Sequence, residues 1–146
     1  MSKYTLYIVI EGPGHSAQYR SHWLFAFRRS GSDLANIYQV LVLDDFHQIY
    51  GFDRRDGIPF PVSGCEGAVK LAELAPHQYV RAQQVLLAEP APKNGWDRFQ
   101  DWTLNCVIGL EVEEILGVGT AELLAGLVGR SAAGVEEMVR SRWVLG

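Results

Sequence analysis

This chain has little of what marks the commoner kinds of functional site. It has two cysteines in 146 residues, Cys65 and Cys106. They have neither metal-ligand spacing nor the framework of a disulfide-stapled domain, so both are expected as reduced thiols, Cys106 in the core and Cys65 in or near a loop. No pair of its four histidines shows the His-x-x-x-His interval, so no metal site is expected. Positive charge is scarce and dispersed, with Arg28-Arg29 and Arg54-Arg55 as its densest points, and the net charge is −4. Without a basic stripe there is no electrostatic footprint for nucleic acid. No apolar run approaches the length of a membrane span, and no small-residue cleavage site follows the first apolar run, residues 4–10. A cytoplasmic protein with neither a nucleic-acid nor a membrane partner is the expectation. Gly12-Pro13-Gly14 lacks the Gly-Lys-Ser/Thr ending of a phosphate loop, and no nicotinamide or flavin signature is visible. A cofactor-free protein is expected.

What the chain does have is a hydrophobic fraction of 48% and 16 aromatic residues, enough for one domain over residues 1–146 with a real core. Short apolar runs at 4–10, 22–28, 37–43 and 46–52 carry β-branched or aromatic residues. They are bounded by Gly, Ser, Asp or Pro, and their connections are too short for crossover helices, so they predict an antiparallel meander. The loop 11–20 suits a mobile segment over one end of the sheet. Glycines and prolines between 53 and 67 predict a long irregular loop, and 69–74 a fifth strand. Pro76 suits the first turn of a helix over 77–88, with Pro90-Ala91-Pro92 as a rigid spacer after it.

The next helix opens at Asp97 as N-cap. Phe99, Trp102, Cys106 and Leu110 fall on one of its faces, and it is expected to run to 116. Thr120 then caps a helix to 128 and Ser131 one to 142. The fold class is α+β, an antiparallel sheet of four to five strands followed by packed helices.

Two short motifs carry a resemblance. One is His22-Trp23-Leu24-Phe25 on a strand. The other is Arg98-Phe99-Gln100-Asp101-Trp102 at a helix opening, where Asn-Cys-Gln-x-Trp is typical. With Tyr50-Gly51-Phe52 between them, the chain resembles small fungal proteins of the circularly permuted papain-like type, related in layout to the NlpC/P60 and PPPDE groups. The resemblance implies a permuted papain-like fold in which the helix Cys is the nucleophile and the strand His its base. His22, Gln100 and Trp102 match that pattern. The Cys does not, because position 99 is Phe, and this removes covalent thiol chemistry at that position.

Each residue then has two readings. His22 is a base, a donor to a ligand, or a core histidine bonded to backbone. Phe99 is core, or the wall of a pocket where a nucleophile once stood. Asp97 and Asp101 are favoured at a helix start by its dipole, and Glu111, Glu113 and Glu114 form a solvated face.

Three functions follow. The first is a cofactor-free cyclase or isomerase acting on an apolar small-molecule substrate, a natural-product precursor. A pericyclic, Diels–Alder type step needs no nucleophile, and preorganisation supplies up to about 7–11 kcal/mol at its limit. His22, Gln100 and Tyr50 would be its catalytic donors, with Trp23, Phe25, Tyr19, Phe99 and Trp102 shaping the substrate site. The second is a cysteine hydrolase or transferase whose thiol has moved to Cys65 or Cys106. The third is a pseudoenzyme that only binds a ligand or a protein. A filled cleft favours the third over the first.

Overall fold

The alternating runs do pair as an antiparallel sheet. The computed structural model describes residues 3–16, 19–44, 46–47, 49–93 and 98–145. Five strands come first: β1 (Tyr4–Glu11), β2 (His22–Arg29), β3 (Leu34–Asp44), β4 (Ile49–Pro59) and β5 (Gly67–Leu74). Four helices follow: α1 (Pro76–Ala88), α2 (Phe99–Val112), α3 (Thr120–Leu127) and α4 (Ala132–Val139). A short 3-10 turn and a last strand, β6 (Trp143–Leu145), complete the described chain. The sheet has six strands in the order β4-β3-β2-β1-β5-β6, with every pairing antiparallel. The class is α+β. None of its helices is long and apolar enough to cross a membrane, among the described residues.

Strand alternation divides the core into two faces. Leu6, Ile8 and Ile10 of β1, Trp23, Phe25 and Phe27 of β2, and Tyr38 and Val40 of β3 meet the helices through Leu86, Trp102, Cys106, Leu110 and Leu124. The opposite face, with Tyr7, Val9, Leu24, Ala26 and Ile37, is covered by Phe60 and more loosely by Val62, Cys65 and Val144.

Several boundaries differ from expectation. The sheet gains β6, because α4 ends at Val139 rather than running on to 142. Trp143 can lie there because Gly67 on β5 has no side chain, and a Cβ would run into the indole. β4 extends to Pro59, through residues expected in a loop. Its charges are compatible with an edge strand because they pair along it, Arg54 with Asp56 at 3.0 Å and Arg55 with Asp53 at 3.1 Å. α2 stops at Val112, short of 116, and its expected cap Asp97 lies outside the described residues. Thr120 is the first residue of α3 rather than its cap, which is Gly119. Ser131 does cap α4, accepting from the Gly134 N–H at 3.1 Å.

Candidate functional site

The two motifs meet at one end of the sheet. β2 begins at His22 and α2 begins at Phe99, and α2 packs across β2 and β3. The α2 start is set by Asp101, whose carboxylate accepts from the Arg98 N–H at 2.7 Å. That bond satisfies one of the backbone groups a helix start leaves open. Phe99 is thereby held with its ring edge-on to the His22 imidazole, the centroids 5.1 Å apart.

His22 is held from the other side by a chain of polar side chains across three strands. His22 Nε2 lies 2.7 Å from Gln39 Oε1 on β3, and Gln39 Nε2 donates to Asp53 Oδ2 on β4 at 2.9 Å. Asp53 accepts a second bond from Arg55 Nε at 3.1 Å. This chain settles the histidine tautomer. A carboxylate only accepts, so the Gln39 amide nitrogen must face Asp53 and its carbonyl oxygen must face His22. That oxygen only accepts, so His22 Nε2 carries the hydrogen, and in the neutral ring Nδ1 is bare. Nδ1 is therefore an oriented acceptor, and a base if a proton is offered to it. Gln39 and Asp53 were not among the residues singled out from sequence. The one signal for Gln39 was a polar residue inside the apolar run 37–43.

Gln100 has a different place. It is fully buried, its Nε2 donates to the Ser21 carbonyl at 2.9 Å, and its Oε1 accepts from the Gly129 N–H at 2.9 Å. Both ends of the amide bind backbone, so Gln100 bridges α2, the start of β2 and the turn after α3. Its burial closes it to a ligand carbonyl in the role expected of it.

The aromatic residues expected to shape a pocket are dispersed or packed. Trp23, Phe25 and Trp102 are each at most 1% exposed. Phe25 and Trp102 meet edge to face at 5.9 Å, and the Trp102 Nε1 donates to the Glu89 carbonyl. Tyr19 is 73% exposed, and Tyr50, expected as a catalytic donor, is buried in the helix-side core. Of the expected set, the structure brings His22 and Phe99 together at the surface and puts Trp23, Phe25, Trp102 and Gln100 inside. The first part of the loop expected to be mobile is anchored. Ser21 Oγ donates to the Gly12 carbonyl at 2.7 Å, and the Ala132 N–H to that of Pro13 at 2.9 Å. Gly14 is needed there, with φ at +65° and Ser21 where a Cβ would stand.

Neither thiol is activated. Burial pushes the Cys106 thiol far up, on the core face of α2. Burial also pushes Cys65 up, and the charges of Glu11 and Glu66 add to this against a hydrogen bond from the Gly67 backbone. A thiol raised by its surroundings is a poor nucleophile at neutral pH, because only the thiolate attacks. Cys65 is accordingly expected to react slowly with a disulfide reagent at pH 7 and faster as pH rises past the ordinary thiol range, about 8.5. Cys106 is expected to react only once the protein is unfolded. Thiol counting with and without denaturant checks both, and a fast native thiol at pH 7 would contradict them.

No family model, curated protein or solved structure matches the chain, so the capabilities of this site rest on its own side chains.

Proposed function

We propose that this chain is a non-covalent ligand-binding domain built on a frame of the permuted papain-like kind. One observation carries the reading. The aromatic ring of Phe99 lies against His22, at the helix start where the resemblance puts a nucleophile, while Gln39 holds the imidazole from the opposite side. A phenyl ring has no electron pair to attack with, but an oriented acceptor beside an apolar edge is suited to recognition. The burial of Trp23, Phe25 and Trp102 supports binding over enclosure, since these rings are packed into the core. The raised thiols give no support to a relocated cysteine nucleophile.

The bare Nδ1 of His22 favours a second reading, the cofactor-free cyclase or isomerase of an apolar precursor, because a positioned base can move a proton. One experiment separates the two. A panel of apolar and amphipathic small molecules is titrated while the ring nitrogens of His22 are followed by NMR, and every bound compound is recovered for mass and connectivity. Binding that shifts His22 and returns the compound unchanged is the expected result. Recovery of an isomer formed by the wild type and not by His22→Ala would select the second reading. A panel that leaves His22 unmoved would defeat both.

A further inference from the structure

The residue opposite His22 across the sheet gives the site a sign. We infer that the ligand held at His22 and Phe99 presents a protonated amine on an aromatic or apolar body, with Glu11 as its counter-charge and His22 Nδ1 as its acceptor. This rests on the non-covalent binding reading above.

Glu11 is the direct partner of His22 in the β1–β2 register. Residues directly opposite in an antiparallel pair point to the same face, with Cβ atoms about 4.5–5.5 Å apart. Glu11 is half-buried and, among the described residues, its carboxylate has no hydrogen bond or ion pair. Arg55, the cation at the end of the His22 chain, is already engaged by Asp53. Glu11 acts on its surroundings as a negative charge, adding to the upward push on the neighbouring Cys65 thiol, where Glu66 contributes the same sign.

Two acceptors therefore project to the same face from paired positions of β1 and β2, a carboxylate and a bare imidazole nitrogen. A ligand anion would be repelled by Glu11. A ligand without donors would leave both groups unmatched, which costs most where they are partly desolvated. An ammonium group offers three donors and the opposite charge, so it can serve Glu11 and Nδ1 at once. Phe99, half-buried and edge-on to the imidazole, supplies apolar surface for the body that carries the amine.

Three probes with the same phenylethyl body separate the possibilities: 2-phenylethylamine, 2-phenylethanol and 3-phenylpropionate. Each is titrated at pH 8 into the full chain, following the His22 ring nitrogens by NMR. The amine is expected to bind at least about tenfold more tightly than the alcohol, and the acid more weakly than either. Glu11→Gln is expected to remove the preference for the amine, so that amine and alcohol bind alike. Equal binding of amine and alcohol, or an amine preference that survives Glu11→Gln, overturns the ammonium assignment and leaves the binding reading standing. If none of the three moves the His22 signals, the binding reading falls with it.

Discussion

Replacing Phe99 with cysteine is expected to create a thiol whose thiolate fraction at pH 7 is on the order of 30-fold that of an ordinary thiol, and which iodoacetamide alkylates faster than it alkylates Cys65. The expectation follows from what surrounds position 99. A sulfur there would sit on the first residue of α2, where the helix dipole favours negative charge. It would stand beside an imidazole whose tautomer is already settled by Gln39 and Asp53, with Nδ1 free to take the thiol proton. Lowering a thiol from about 8.5 to about 6 raises the thiolate fraction at pH 7 from a few per cent to roughly nine-tenths, about 30-fold, and the lower intrinsic nucleophilicity of the more acidic thiolate offsets part of that gain in rate. Cys65 is the internal reference in the same tube, since its surroundings act in the opposite direction. His22→Ala in the same variant is expected to return the new thiol to an ordinary rate, and Gln39→Leu to reduce its rate by a smaller factor, because the imidazole then loses its orientation. A new thiol no faster than Cys65 would mean that His22 and the α2 start do not form a latent ion-pair site. The proposal of a permuted papain-like frame would then have to be withdrawn.

The residues that meet at this site were legible to different degrees, for reasons that differ residue by residue. β1 and β2 could be read because aromatic and β-branched side chains alternate between two covered faces. The second half of β4 could not, because Asp53-Arg54-Arg55-Asp56 followed by glycine looks like a solvated loop. On an edge strand those charges neutralise one another along the strand, and no neighbour on that side has to tolerate them. β6 depends on the absence of a side chain at Gly67, a fact about packing between segments more than 70 residues apart. His22 and Phe99 stood out from local pattern alone. Gln39, Asp53 and Glu11 did not, since their roles come from strand register, which a single sequence only partly specifies. A lone glutamine in an apolar strand was a visible anomaly, but nothing in the sequence named the histidine it holds.

Gln100 shows the opposite case, a residue whose motif suggested chemistry and whose surroundings assign it to the fold. Gln100→Met is expected to destabilise the protein by about 2–5 kcal/mol. Methionine fills nearly the same volume, so the cavity contribution is small. What is lost is the pair of hydrogen bonds to the Ser21 carbonyl and the Gly129 N–H, which are 2.9 Å each in the native protein. Each backbone group left buried without a partner costs about 1–3 kcal/mol, and the side chain that replaces Gln100 can serve neither. For a domain of this length the loss corresponds to a melting temperature lower by roughly 5–20 °C. Gln100→Glu keeps an acceptor for Gly129 but sets a buried carboxylate oxygen against the Ser21 carbonyl, so at neutral pH it is expected to cost at least as much as Gln100→Met. Amide exchange distinguishes this from general loosening. Gly129 should lose protection in Gln100→Met before the amides of β1 do, because that N–H has lost its acceptor while the sheet remains paired. The His22 tautomer is expected to be unchanged in the folded variant, because it is set by Gln39 and Asp53 and Gln100 bonds to neither. A variant that kept wild-type stability, or one that lost the His22 signal while remaining folded, would contradict this division between a bolt that joins three elements and a site that sits beside it.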